Sequence, residues 1–499
     1  SDESKSKVSN DFVLTVREDD IVFCAIWKKA SSGSSDQSSA DSGQTSQKTV
    51  ILANGTAYPD TLTASVLANL KNAPVLLSNF ENVNTTTLNE IKRLGATEII
   101  IVGGNQVVSE SVVSQLEKEI SGVKVSRIWG KDRYKTSIKV GEEVRKLISE
   151  SQSLASLRTN LNTTSKSMTN SSSETMSNAT SRSMINLSPR IVSNSNLRSM
   201  SNSTLTNAES SQNLLDTKNL DSVSAKGTTN QNSVILAVGT NFPDAMSVTS
   251  LAEYTNTPIL LTQTETLNQD TENILKTWGI TNVTIIGKEK AISTNVEDMI
   301  KNLSTSADVE NSSVSSISVD RIGGEDRYET AKLIGDKLIS ILGNEETSNS
   351  RTSSNIDNLS NELNESSTKD TFNRTSLDNI LTDSTRTSSN EVSQAILVDG
   401  TNFPDALTVS SLSGYYKVPV LLTQREFLNN TTQKALKGWS VSKITIAGGT
   451  NAVAKEIEEE LKGLKENSSS EMTIERLAGV DRYETAVQIS QKYSRVNKV

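Results

Sequence analysis

The 499-residue chain contains no histidine and a single cysteine, Cys24. The lack of histidine excludes the Ser–His and Cys–His nucleophile systems, the HExxH zinc sites and an imidazole-based pH switch. One cysteine allows no internal disulfide and no CxxC metal clip. These absences predict a protein without a bound metal or cofactor.

Aromatic residues make up 4% of the chain and hydrophobic residues 34%, against about 45–50% in a typical globular domain. No apolar run approaches the roughly 20 residues that a membrane span needs, so none is predicted. A net charge of −9 provides no global basic surface for nucleic acid. The chain starts at Ser1, which fits a secreted product whose signal peptide has been removed.

Low-complexity stretches dilute the compact parts of the chain. Ser, Thr and Asn fill 44 of the 80 residues from 151 to 230. Such segments bury too little apolar surface to offset the entropy lost on ordering. We predict a short N-terminal segment over 1–30 and linkers over 31–48, 149–232 and 344–393, the last two disordered.

One unit recurs three times between the linkers, over 49–148, 233–343 and 394–499. The copies begin with VILANGTAYPD, VILAVGTNFPD and AILVDGTNFPD. They end with RIWGKDRYKT, RIGGEDRYET and RLAGVDRYET. Long motifs that match three times in the same order identify a tandem repeat.

Each unit alternates short apolar runs with segments of helical spacing. Four strands and four helices in about 100 residues predict a small parallel α/β layer. The right-handed crossover rule favours Rossmann-like or flavodoxin-like winding.

A Gly–Pro–Asp turn follows the first strand of every copy. Proline suits the first turn of a helix, and aspartate there complements the helix dipole. A helix N-terminus can also bind an anion, but no GxGxxG or GxxxxGK[ST] motif is present. The pattern therefore favours structural helix starts over a ligand site at Asp60, Asp244 and Asp405.

The Asp-Arg-Tyr block near the end of each copy combines a helix cap with a basic residue. Its aspartates, Asp132, Asp326 and Asp481, have the position of N-caps, and copies two and three add the glutamate of a capping box. Copy one has Lys135 instead and keeps only the cap. The arginines lie in the first turn, where positive charge opposes the helix dipole. They need a partner, which is either a buried carboxylate or an anionic ligand: Arg133, Arg327 and Arg482.

The run Pro-Val/Ile-Leu-Leu is most simply a buried core strand in each copy. Together with PDALTVSSL, ITIAGG and RLAGVDRYETA, it resembles the cell wall binding repeat 2 family, which occurs in tandem threes in clostridial surface-layer and wall proteins. The resemblance covers most of the chain outside the linkers.

This resemblance implies three tandem Rossmann-like domains packed with pseudo-threefold symmetry. It implies a non-enzymatic protein of the cell surface that binds an anionic secondary wall polysaccharide without a covalent bond, and other surface-layer proteins are candidate partners. The implied ligand-binding residues are the three arginines and the strand motifs Pro74, Val75, Leu76, Leu77, Pro258, Ile259, Leu260, Leu261, Pro419, Val420, Leu421 and Leu422.

Two other function classes stay open at this point. A Rossmann-type nucleotide- or phosphate-dependent enzyme predicts a Gly-rich phosphate loop and one catalytically equipped copy, and the sequence shows neither. A structural surface-layer protein predicts repeats that only assemble laterally. Wall binding is physically reasonable because three weak sites on one chain reinforce each other on a repeating polymer.

Overall fold

The computed structural model describes residues 6–8, 12–14, 48–169, 232–241, 244–303, 316–343, 393–402, 404–464 and 472–497. The chain divides into two units, Ser1–Ser46 and Gln47–Val499. In the first unit, strands β1 (Ser6–Val8) and β2 (Phe12–Leu14) pair antiparallel with each other. Nearly all of the predicted linker over 31–48, and most of the other two, lie outside the described residues.

The second unit contains the three repeats. Repeat 1 consists of β3 (Thr49–Asn54), α1 (Tyr58–Leu70), β4 (Val75–Ser78), α2 (Thr85–Leu94), β5 (Glu98–Val102), α3 (Glu110–Glu119), β6 (Lys124–Ile128) and α4 (Arg133–Thr169). Repeat 2 consists of β7 (Ser233–Val238), α5 (Val248–Thr255), β8 (Ile259–Thr262), α6 (Gln269–Thr277), β9 (Asn282–Ile286), α7 (Thr294–Lys301), β10 (Ser318–Ile322) and α8 (327–343). Repeat 3 consists of β11 (Gln394–Asp399), α9 (Pro404–Thr408), α10 (Ser410–Tyr416), β12 (Val420–Thr423), α11 (Asn430–Gly438), β13 (Lys443–Ala447), α12 (Lys455–Gly463), β14 (Thr473–Leu477) and α13 (Arg482–Asn497).

Each repeat forms one four-stranded sheet in which all strands are parallel. The strand orders are β4-β3-β5-β6, β8-β7-β9-β10 and β12-β11-β13-β14. The first strand of each repeat is therefore central, and the Pro-x-Leu-Leu strand lies at one edge. This order matches the first four strands of a flavodoxin-like sheet, so the predicted fold class is confirmed.

The three repeats pack together through the helix that follows each first strand. Helices α1, α5 and α10 contact one another pairwise, which places them around a common centre. Every residue of α1 from Pro59 to Leu70 is buried, which explains why the helix carries so many small Ala, Ser and Thr side chains. Small side chains let the three helices approach closely at this pseudo-threefold centre.

The last helix of each repeat covers the exposed sheet edge of the next repeat. Helix α4 of repeat 1 contacts β8 of repeat 2, and α13 of repeat 3 contacts β4 of repeat 1. The N–H of Leu261 in the edge strand β8 donates to Ser137 Oγ on α4 at 3.2 Å. The exchange of helices thus covers each edge strand and links the repeats in a ring, 1 to 2, 2 to 3 and 3 to 1.

The last helix of repeat 1 is longer than predicted. Helix α4 continues to Thr169, so residues 149–169 are helical where we predicted linker. The sequence signal is the helical spacing of Leu154, Leu157 and Leu161, which the Ser- and Asn-rich composition obscures.

The Gly–Pro–Asp turn begins a helix directly in repeats 1 and 3 but not in repeat 2. Residues 244–247 form turns, and α5 begins at Val248, so Asp244 does not start a helix. In repeat 3 the helix is interrupted at Val409, between α9 and α10. Repeat 1 has Ala64 at this position and an unbroken helix, which fits the weaker helix propensity of β-branched valine.

Candidate functional site

The motif residues meet at the carboxyl ends of the parallel strands. In each repeat the turn after the first strand, the glycine-containing turn after the third strand and the start of the last helix lie together at this edge. Ligands of open parallel α/β sheets bind in the crevice at this edge. We call this crevice, with its aspartate and arginine, the cleft of the repeat.

The arginine of each Asp-Arg-Tyr block reaches across to the next repeat. Arg133 Nη1 donates to the carbonyl oxygen of Gly239 in repeat 2. Arg327 Nη1 donates to Gly400 O of repeat 3 at 2.6 Å. Arg482 closes the ring, because its Nη1 donates to a carbonyl of repeat 1, Gly55 O, at 2.7 Å.

The neighbouring tyrosine explains why these acceptor residues are glycines. A Cβ on Gly239 would lie 2.8 Å from Cε1 of Tyr134, and a Cβ on Gly400 would lie 2.9 Å from Cε1 of Tyr328. A side chain would therefore push the tyrosine ring away at each interface. The Gly and Asp-Arg-Tyr motifs are two halves of one contact between successive repeats.

An aspartate of the same repeat lies near each of these arginines, and it is buried in repeat 1 and partly buried in repeats 2 and 3. Burial raises the pKa of Asp60 to about 6, while the positive charge of Arg133 opposes the shift. Burial likewise raises the pKa of Asp405 to about 6, opposed by Arg482. The pKa of Asp244 is also raised by burial. The arginine thus has both a backbone carbonyl and a nearby carboxyl group, so its position has an explanation without a ligand.

The Asp-Arg-Tyr aspartates cap the last helices. Asp132 Oδ1 accepts from Lys135 N at 2.8 Å, and Asp326 Oδ1 accepts from Glu329 N at 2.8 Å. In repeat 3, Glu484 N donates to the Oδ1 of Asp481 at 2.9 Å. The capping glutamates of repeats 2 and 3 accept from the residue before the cap instead of the cap itself.

A second arginine in each repeat has a structural role that the sequence did not predict. Arg321 Nη1 donates to Gly287 O at 2.9 Å and to Ile292 O at 2.8 Å, which fixes the turn after β9. Arg127 and Arg476 make the equivalent bonds in repeats 1 and 3. The available signal is an arginine at the same place in a short apolar strand of all three copies.

The Pro-x-Leu-Leu strands lie in the core. Their apolar side chains are no more than 2% exposed, because the last helix of the preceding repeat covers them. The buried residues are Val75, Leu76, Leu77, Ile259, Leu260, Leu261, Val420, Leu421 and Leu422.

The cleft of repeat 3 contains a cavity of about 600 Å³. Asp405 and Arg482 line it, together with Asn402, Thr450, Asn451 and Val480. Within the described residues, no three or more side chains of the metal-ligating types Cys, Asp and Glu lie close enough together to hold a metal ion. No helix among those residues is long and apolar enough to cross a membrane.

The family model for cell wall binding domain 2 (CWB2) matches residues 26–113, 200–297 and 321–458. These segments make up more than half of the chain, and the protein belongs to this family. The family is one of cell wall binding domains, and the repeated α/β units are its modules.

Two curated relatives come from Bacillus subtilis (strain 168). N-acetylmuramoyl-L-alanine amidase LytC is 25% identical over 258 residues, which are 52% of this chain and 37% of LytC. The amidase enhancer is 31% identical over 103 residues, which are 21% of this chain and 14% of that protein. The chain therefore spans well under half the length of either relative.

Two similar solved structures are Cwp6 and Cwp8 from Clostridium difficile. Cwp6 has a TM-score of 0.47 at 17% identity, over 89% of this chain and 44% of Cwp6. Cwp8 has a TM-score of 0.47 at 19% identity, over 84% of this chain and 47% of Cwp8.

Proposed function

We propose that the chain anchors a secreted protein to the bacterial cell wall by binding an anionic secondary wall polysaccharide, without a covalent bond, through its three repeats. One observation carries the proposal: a chain of a cell wall binding family repeats the same arginine near a buried or partly buried aspartate at three sheet edges. Location at the cell surface and contact with other surface-layer proteins belong to the same proposal.

The charge of the chain restricts how it can bind such a polymer. A net charge of −9 opposes broad electrostatic capture of an anionic chain, so binding has to use local groups. A guanidinium has five N–H donors. Arg133, Arg327 and Arg482 can therefore hold a carbonyl of the next repeat and also donate to an acidic group or hydroxyl of the polymer.

In this proposal the Pro-x-Leu-Leu strands do not contact the polymer through their side chains but support the cleft. Their side chains are buried, so a polymer would meet their carboxyl ends and not their apolar faces. By packing under the arginine-bearing helix of the preceding repeat, they hold the arginine at the edge of the sheet.

We propose a binding module and not an enzyme. The match to an amidase covers only 37% of that protein, and this chain contains no histidine for acid–base or nucleophilic catalysis. The arginines of the clefts also hold successive repeats together, because each donates to a glycine carbonyl of the next repeat.

The test is sedimentation of the full chain with purified wall sacculi, before and after extraction of the secondary polysaccharide. We expect sedimentation only before extraction. Arg133→Gln, Arg327→Gln and Arg482→Gln should each weaken it in part, and the triple variant should abolish it. Binding of the wild type should also decrease with ionic strength, because the polymer is anionic.

Thermal unfolding has to accompany every variant, since the same arginines hold the repeats together. Arg425→Gln is the matched control, because Arg425 is exposed and lies outside the clefts. A folded triple variant that sediments like the wild type would remove the arginines from the site. Sedimentation that survives extraction would instead favour lateral assembly or another wall component.

A further inference from the structure

The three clefts share their inner residues but differ at the rim. Each contains the aspartate, the two arginines and the capping aspartate described above. The differences lie at two facing positions on the two loops that form the mouth. On one loop the position is Gly104, Lys288 or Gly449, and on the other it is Trp129, Gly323 or Ala478 in repeats 1, 2 and 3.

In repeat 1 an aromatic side chain bridges the two loops. A Cβ on Gly104 would lie 3.3 Å from Cε3 of Trp129, so the indole packs directly on the opposite loop. The other part of the ring faces solvent, and Trp129 is 52% exposed. The ring therefore lies between the two loops that form the mouth of this cleft.

In repeat 2 the two loops meet through their backbones. A Cβ on Gly323 would lie 2.5 Å from the carbonyl carbon of Gly287. Lys288 on one loop also pairs with Glu325 on the other. The two loops of this mouth are therefore in backbone contact and carry an ion pair between them.

Repeat 3 has neither an aromatic ring between the two loops nor the backbone contact and ion pair of repeat 2. The nearest heavy atom to a Cβ on Gly449 would be Gly479 O, at 3.6 Å, and the facing residue is the small Ala478. Val480 stands where repeat 2 has Glu325, and it is 94% exposed. The result is the open cavity of about 600 Å³, a size within the roughly 300–1,000 Å³ of ligand pockets.

The lining of this cavity suits a polyhydroxylated ring. Asn402, Thr450 and Asn451 supply amide and hydroxyl groups that both donate and accept hydrogen bonds. Asp405 Oδ1 is buried and has no hydrogen-bond partner among the residues that the structure describes. Ala478 and Val480 add a small apolar surface for the C–H face of a sugar. Repeat 1 has Ala57 in place of Asn402 and so lacks one of these polar groups.

We propose that the cleft of repeat 3 is the primary site for a sugar unit of the wall polymer, and that Trp129 and the Lys288–Glu325 pair keep the equivalent clefts of repeats 1 and 2 closed. This inference rests on the proposed function and assigns the three repeats unequal shares of it. Arg133 and Arg327 then serve mainly the contacts between repeats, while Arg482 also lines an accessible cavity.

The test is calorimetric titration of the full chain with short oligosaccharides prepared from polysaccharide released from the sacculi by dilute acid. We expect one oligosaccharide per chain. Ala478→Trp copies the closing residue of repeat 1 into repeat 3, and nothing on the facing Gly449 obstructs it. It should weaken binding at least about tenfold, because it blocks several hydrogen bonds.

Two further variants complete the design. Trp129→Ala is the matched control in repeat 1 and should not weaken binding. The double variant Asn402→Ala and Asn451→Ala removes polar groups from the cavity without filling it, so it serves if Ala478→Trp does not fold. Both residues are exposed and outside the packed interior.

Each outcome separates this inference from the proposed function. Three oligosaccharides per chain, unchanged binding by both cavity variants, or equal losses from Trp129→Ala and Ala478→Trp would overturn the inference and leave wall binding intact. A chain that sediments with sacculi but binds no oligosaccharide would also overturn it. A chain that does neither would overturn the proposed function itself.

Discussion

The contacts that follow chain order differ from the contact that closes the ring of repeats. At the interfaces from repeat 1 to 2 and from 2 to 3, a tryptophan of one repeat packs into a glycine notch on the last helix of its predecessor. A Cβ on Gly141 would lie 2.7 Å from Cη2 of Trp278, and one on Gly335 would lie 2.3 Å from Cη2 of Trp439. Trp439 Nε1 also donates to Asp336 Oδ1 at 2.8 Å.

The ring-closing interface from repeat 3 to 1 uses a polar network at the same place. Leu94 and Ser490 stand where the other interfaces have tryptophan and glycine. Ser490 Oγ donates at 2.6 Å to Glu90, a residue 400 positions away and only 2% exposed. Arg93 Nε binds the same carboxylate at 2.6 Å. The Arg–Gly contact is common to all three interfaces, so the difference lies in the helix packing and not in the clefts.

This difference has a physical meaning. An indole in a notch gains most from apolar burial, which is strong but not directional. A buried carboxylate needs specific donors, because leaving it without them is costly. We infer that the polar network selects the correct partner at the interface whose two repeats are not consecutive in the chain.

The largest expected effect comes from removing a notch tryptophan. Trp439→Ala should reduce the free energy of unfolding by about 3–5 kcal/mol, because Trp439 is only 8% exposed and leaves a cavity at the interface. Denaturant unfolding of the full chain measures it. Trp129→Ala is the control, since this half-exposed tryptophan contributes to no repeat interface described above.

A loss from Trp439→Ala no larger than that from Trp129→Ala would contradict the apolar description of the chain-order interfaces. Contacts other than those of the notch tryptophans would then stabilise these two interfaces.

The next largest effect concerns the aspartate that lies near the interface arginine in each repeat. A carboxyl group whose pKa rises from 3.8 to about 6 on folding stabilises the fold below pH 4, and this contribution is lost as the pH rises to about 6. Asp60→Asn and Asp405→Asn should therefore raise stability at pH 7 by about 2–3 kcal/mol each and leave it unchanged near pH 4. Unfolding curves at a series of pH values measure the difference from the wild type.

Asp60 lies beside the arginine of a chain-order interface and Asp405 beside that of the ring-closing one. Similar gains in stability at the two sites would show that the aspartate near the arginine has the same effect at both kinds of interface. Asp298→Asn is the control, because Asp298 is exposed. A loss of stability at pH 7 from either substitution would show that the charged form is needed to hold the arginine.

The sequence predicted the strand and helix alternation well, because the parallel strands are continuous apolar runs such as Ile99–Val102. It predicted neither the packing of each last helix on the next repeat nor the glycine carbonyls that accept from Arg133 and Arg482. Those contacts depend on which repeat lies beside which, and a single sequence carries no such information for residues that are 106 or 427 positions apart. The difference between the cleft mouths also depends on residue pairs, such as Trp129 with Gly104. Neither residue of such a pair predicts the state of the mouth by itself.

The smallest expected effect probes the ring-closing network directly. Glu90→Ala strips Arg93 and Ser490 of their shared acceptor, and the loss of a buried ion-pair partner costs about 3–5 kcal/mol in general. Arg93 keeps 45% of its side chain exposed, so water can replace the lost acceptor on that side and the expected cost falls to about 2 kcal/mol. Glu90→Gln keeps one acceptor oxygen and should cost less than Glu90→Ala. Denaturant unfolding gives both values, and hydrogen exchange shows where the structure opens. If the network is specific to ring closure, exchange should increase in α2 and α13 and stay unchanged in α4 and α6. Equal increases in all four helices would mean that the repeats open as one unit and that the network has no separate role.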